Sequence, residues 1–145
     1  MQPLYTLGYT GIEPQEIIDA AARINASIAD IRYSARSRHP QWSKNTLRTA
    51  WGSRYLHISG LGNKNYKGDL GHGIMLANPI LGGEIVLALL PQQPVILMCA
   101  CPNWETCHRR NAAEFIVQMR PNVEVIHLTA KSLRALGNPI QQSLF

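Results

Sequence analysis

Two hydrophobic rhythms alternate along the chain. Short apolar runs of strand type occur at "LYTLGYT" (4–10), "SIADIR" (27–32), "YLHISGLG" (55–62), "PVILMCA" (94–100) and "VEVIHL" (123–128). Stretches with helical spacing lie between them. "EPQEIIDAAARIN" (13–25) predicts a helix: Pro14 suits its first turn, acids sit near its start, and Ile17, Ile18, Ala21 and Ala22 share a face. After the polar loop "SARSRHPQW", Ser43 is placed to cap a helix over 44–52 carrying Leu47, Ala50 and Trp51 on one side. Residues 62–73 are Gly-rich and read as a functional or mobile loop. A helix over 79–90 begins near Pro79, and a longer one over 103–119 has Asn103 as its cap. The continuous apolar run at 94–100 suits a central strand covered on both faces. Strand and helix alternate about five times, which predicts one α/β domain over 1–129 with a mainly parallel sheet flanked by helices. Residues 130–145 are expected to be a weakly ordered C-terminal tail.

A length of 145 residues and a hydrophobic fraction of 46% suit a single domain with a real core. The longest apolar run, "IVLALL" at 85–90, is far short of a membrane span. The first residues lack the pattern of a signal peptide, so the expected compartment is the cytoplasm. Three cysteines argue against a disulfide framework. The net charge of +5 is unevenly spread. Eight of the 14 lysines and arginines lie between Ile31 and Gly68, a stretch without an Asp or Glu. Tyr33, Trp42, Trp51, Tyr55 and Tyr66 are interleaved with them. Cations follow phosphates and aromatic rings stack on bases, so this stretch points to DNA or a nucleotide.

Open parallel sheets bind ligands outside the carboxyl ends of their strands. Here those ends carry Gly8 and Tyr9, Asp30 and Arg32, His57 and Ser59, Cys99 and Cys101, and His127. The densest chemistry is "MCACPNWETCHRR" at 98–110. One reading is a nucleophilic thiolate, Cys99 or Cys107, with His108 as base and Arg109 binding an anion. A second is a metal site, but Cys-x-Cys followed by an adjacent Cys-His pair is poor spacing for four ligands on one zinc. A third is structural, since a buried thiol behaves as a small hydrophobe. The Cys-x5-Arg loop of cysteine phosphatases does not fit, because nine residues separate Cys99 from Arg109. Asp30 and Arg32 read either as an ion pair or as a carboxylate held for proton transfer. Neither a metal nor a cofactor is expected.

The motifs "YTLGYTG", "DIR", "SR-HPQWSK", "YLHI--LGN" and "LMCA---ETCHRR" occur in the order seen in the domain-of-unknown-function family 488, which the chain resembles over roughly residues 4–128. The resemblance implies a three-layer Rossmann-like α/β fold. It also implies a site at Gly8, Tyr9, Asp30, Arg32, Cys99, Cys107, His108 and Arg109. Cys101 stands where that family often has an acid, and Ser59-Gly60 where it commonly has Pro-Glu.

The chain closes on "QQSLF". This resembles the short peptide that bacterial replication and repair proteins insert into the sliding clamp, with Gln141, Ser143, Leu144 and Phe145 at the matching positions. The expectation is a DNA-associated protein, an enzyme acting on DNA or nucleotides and tethered to the clamp. Arg32, Arg36, His57 and Arg109 would bind the ligand and its phosphates; Asp30, Cys99, Cys107 and His108 would form the reactive group. The alternatives are a non-enzymatic DNA or clamp adaptor, and a thiol- or metal-dependent enzyme on a small anionic metabolite.

Overall fold

Strand β4 (Val95–Cys99) is buried along its whole length, and the sheet grows outward from it. The computed structural model describes residues 1–138. β1 (Leu4–Gly8) and β2 (Ser27–Asp30) flank β4, while β3 (Tyr55–His57) and β5 (Val125–His127) form the edges, in the order β3-β2-β4-β1-β5. Every pairing is parallel. The register aligns Gly8 with Cys99, and Asp30 with both Met98 and His57, so the chemistry-bearing residues end level at one edge.

Strand alternation divides the core in two. Leu97 and Cys99 pack with α3 (Pro79–Leu89) and α4 (His108–Met119). Ile96 and Met98 pack with α1 (Pro14–Ile24), α2 (Lys44–Trp51) and α5 (Ala130–Gly137). Connections after β1 and β2 step one way along the sheet, and those after β3 and β4 step the other way. Right-handed crossovers then require α1 and α2 on one face and α3 and α4 on the other. The result is the expected three-layer, Rossmann-like α/β fold, with the winding reversal beside the carboxyl end of β4. Among the described residues no helix is long and apolar enough to cross a membrane.

Local chemistry sets the helix ends. Glu13 and Glu16 form a capping box around Pro14, and Asn25 ends α1 in the left-handed region at φ 57°. Asn78 caps α3 by accepting from the Leu81 N–H. Ser43 holds the N-cap position of α2, but its hydroxyl donates to the Pro40 carbonyl and pairs with Thr46, so it makes no side-chain cap bond.

Three expectations change. The third strand stops at His57 and turns into a 3-10 segment at Ser59–Leu61, within which Gly60 backs onto the Asn78 carbonyl too closely for a side chain. The helix expected over 103–119 is split. Asn103 caps a 3-10 turn (Trp104–Thr106), and Cys107, in extended backbone, becomes the N-cap of α4. A finding the sequence pattern does not carry is that the Gly-rich loop, expected to be functional or mobile, holds hydrogen bonds around Asn65, whose amide donates to the Gly71 and Gly73 carbonyls while its oxygen accepts from Leu70 N–H.

The third change concerns the tail. Residues 130–137 form α5, started by a Thr129–Ser132 capping box, with Leu133 fully buried against the α1 side of the core. An Arg134–Glu16 ion pair at 2.6 Å closes the seam between α1 and α5. The domain therefore runs past residue 129. Leu133→Ala is expected to destabilise the protein by about 2–5 kcal/mol in urea unfolding, the usual cost of emptying a buried leucine site. A loss below about 0.5 kcal/mol would mark α5 as a dispensable tail.

Candidate thiol and arginine site

On the α1–α2 face, Asp30 is fully buried and both its oxygens are engaged. Arg32 donates from Nε to Oδ1 at 2.9 Å and from Nη2 to Oδ2 at 2.6 Å. The Tyr55 hydroxyl donates to Oδ2 at 2.6 Å. Burial works against the Arg32 charge, but the hydrogen bonds and charge of Asp30 outweigh it and hold the guanidinium charged beyond its ordinary range. Burial first, and then Asp30, push the Tyr55 phenol up, so it stays a donor. Arg32 also donates to the Tyr9 hydroxyl at 3.3 Å, and Tyr9 stacks on Trp42 with ring centroids 4.0 Å apart.

On the α3–α4 face, Arg109 is 1% exposed and forms no ion pair with a carboxylate among the described residues. Its Nη1 donates to the Cys101 carbonyl and, at 3.4 Å, to Cys99 Sγ; Nη2 donates to the Pro102 carbonyl at 3.4 Å, and Nε has no partner. Gly8 makes this possible: a Cβ there would overlap the Cys101 carbonyl and stand 2.5 Å from Arg109 Nη1. Cys99 and Cys107 bring their sulfurs to 3.0 Å. Hydrogen bonding from Cys107 lowers the Cys99 pKa, burial opposes it, and Arg109 lowers it further. The neighbouring Cys99, followed by burial, pushes Cys107 up to about 12. Of the two thiols, Cys99 beside Arg109 is therefore the one that ionises first.

His108 joins the two faces. Its Nε2 lies 2.9 Å from the Ile31 carbonyl, and a carbonyl only accepts, so Nε2 carries the proton. In the neutral ring Nδ1 is then bare, and it faces Cys107 Sγ at 3.7 Å. It is placed to take the Cys107 proton. His57 makes the parallel contact, donating from Nε2 to the Arg32 carbonyl at 2.7 Å.

Cys99, Cys107 and His108 place their donor atoms within 4.8 Å of one another, the spread of a potential metal cluster. Two thiolates on a tetrahedral zinc stand ~3.8 Å apart, from Zn–S bonds of about 2.3 Å. The 3.0 Å pair would have to open, and a dication would sit against the Arg109 charge that already faces Cys99. The arrangement suits a sulfur–sulfur pair better than an ion.

Two connected hollows open above these groups. The smaller, about 300 Å³, is lined by Tyr9, Arg32, Tyr33, Arg36, Tyr66, Cys101 and His108, among others. The larger, about 910 Å³, shares Tyr33, Ser34 and Arg36 and continues along Ser37, Ser43, Lys44 and His57. Arg36 is exposed, and no hydrogen bond or ion pair engages its side chain among the described residues. Of the five aromatics in the basic stretch, Trp42, Trp51 and Tyr55 belong to the core; Tyr33 and Tyr66 stand 44% and 54% exposed. The structure thus brings Tyr9, Arg32, Arg36 and His108 to one cavity, and His57 to its neighbour. Cys99 and Cys107 lie buried behind the wall. Sequence reasoning missed the Tyr55 contact to Asp30, which depends on the β2–β3 register, and the place of Cys101 on the cavity wall. Gln141, Ser143, Leu144 and Phe145 lie outside the described residues.

No family model, curated protein or solved structure matches the chain.

The charge assignment is testable by thiolate ultraviolet absorbance in a Cys101→Ser background. One thiolate is expected to appear below the ordinary free-thiol value of about 8.5, to vanish in Cys99→Ser and to move up in Arg109→Met. A first thiolate seen only above that value would overturn it.

Proposed function

We propose that the protein is an enzyme acting on a nucleotide or on single-stranded DNA. One nucleotide occupies the smaller cavity, and flanking phosphates follow the larger groove. The observation that carries this reading is the union, in about 300 Å³, of the unengaged Arg36 and the exposed Tyr33 and Tyr66 with His108 and Cys101. That volume suits one nucleotide rather than a duplex. The groove beyond it supplies Lys44 and the Ser34 and Ser37 hydroxyls as phosphate donors. Asp30 has no free oxygen, so its part is to hold Arg32 and the end of β2 in place. His108 and the cysteine pair behind it are the reactive group. The match of "QQSLF" to a sliding-clamp peptide supports a tether at replicating or damaged DNA.

Arg36→Ala is expected to weaken binding of a short single-stranded oligonucleotide about tenfold and to reduce the salt slope by about one ion. Tyr66→Ala is expected to weaken binding by about 1–3 kcal/mol through lost stacking. Fluorescence anisotropy at two salt concentrations reads both. Unchanged affinity in both variants would remove nucleic acid and favour a small anionic metabolite. Separately, micromolar binding to a bacterial sliding clamp is expected for the full chain and not for one lacking residues 141–145. Equal binding by both would remove the tether.

A further inference from the structure

We infer that Cys99 and Cys107 form a reversible disulfide, and that Cys101, on the cavity wall, is the thiol through which a small-molecule disulfide oxidises them. The pair is preorganised. The sulfurs are 3.0 Å apart, one at the end of a strand and one at a helix N-cap, and about 1 Å of approach makes the bond. Both are closed to solvent, Cys99 at 1% and Cys107 at 3% exposure, so an oxidant needs an intermediary. Cys101 is the half-buried cysteine and it lines the cavity, two residues along the chain from Cys99; burial, and then the nearby Cys107, push its thiol pKa up.

The electrons balance as follows. The Cys101 thiol gives its proton to solvent, to be recovered at the end of the cycle, and its sulfur attacks the external disulfide RSSR, forms a mixed disulfide and releases one RS⁻. Cys107, its proton passing to His108 Nδ1, attacks the Cys101 sulfur and expels the second RS⁻. The Cys99 thiolate then attacks Cys107 Sγ, closes the Cys99–Cys107 bond and restores the Cys101 thiolate. Two electrons leave the pair and reduce RSSR. The two RS⁻ become thiols with one proton from His108 and one from water.

Arg109 makes the bond labile. In the reduced state Arg109 Nη1 faces, at 3.4 Å, a Cys99 sulfur able to ionise and offset its buried charge; in the disulfide that sulfur can carry no charge, and among the described residues no carboxylate replaces it. Stabilising the reduced form makes a disulfide more oxidising and easier to open. The Cys101 and Pro102 carbonyls hold the same guanidinium, so oxidation loads the cavity-wall loop directly.

The test needs no nucleotide and rests on the sulfur geometry alone, so its outcome is separate from that of the proposed function. The reduced full chain is incubated with oxidised glutathione, quenched by alkylation in denaturant and cleaved after Glu105, which separates Cys99 and Cys101 from Cys107. Mass spectrometry is expected to show Cys99 linked to Cys107 with Cys101 alkylated, and dithiothreitol to reverse it. Cys101→Ser, its fold checked by circular dichroism, is expected to form the same link at least tenfold more slowly. Glutathione confined to Cys101, with Cys99 and Cys107 both alkylated, would overturn the pair. So would one equivalent of zinc that protects both sulfurs. An unchanged rate in Cys101→Ser would overturn the relay.

Discussion

The α3–α4 side of the sheet's carboxyl edge is arranged around the burial of one guanidinium, that of Arg109. Taking an unpaired charge out of water costs several kcal/mol, and Arg109 has no acid to offset it among the described residues. Its compensation comes from two loop carbonyls and one sulfur. For those carbonyls to reach it, the chain after β4 must fold back over the end of β1, and only a glycine at position 8 leaves the space. For the sulfur to carry charge, a donor must face it, and the break of the helix at Cys107 delivers that thiol. Gly8, the 101–102 carbonyls, the helix break and the Cys99 sulfur are one solution to one electrostatic problem.

The second buried charge is solved differently. Arg32 is matched by Asp30 through two hydrogen bonds, and Tyr55 takes the remaining acceptor capacity of the carboxylate. A fully satisfied pair of this kind rigidifies its surroundings and has little left for a ligand. This divides labour among the arginines. Arg32 and Arg109 shape the walls, whereas Arg36 is exposed and its side chain is engaged by no hydrogen bond or ion pair among the described residues.

The layers and the edge where the chemistry gathers were readable because periodicity reports burial. The five strand-like runs became the five strands, and the unbroken apolar run at 94–100 became the central one. What could not be read depended on contacts distant in sequence. Tyr55 reaches Asp30 only through the β2–β3 register, and the basic stretch hides that three of its five aromatics are core. The break at Cys107, with a 3-10 turn before it and α4 after it, is not recorded by local propensity. The α5 helix was missed for another reason. "AKSLRALG" is short and only moderately apolar, and it is stabilised by the seam with α1 rather than by its own pattern.

The two charge systems lie on opposite faces of the sheet, yet they meet at two backbone carbonyls. His108 rises from the α4 side and donates to Ile31, while His57 donates to Arg32, the next carbonyl along. Residues 31 and 32 lead directly into the basic loop that lines both hollows. A proton moved from Cys107 to His108 leaves Nε2 donating to Ile31, but now from a cation, which strengthens that bond. A change of charge on His108 would therefore reach, through the Ile31 carbonyl, the start of the loop that lines both hollows. The coupling needs only the one imidazole whose two nitrogens face the two halves of the site, and Ile31 supplies the acceptor that fixes which nitrogen does which.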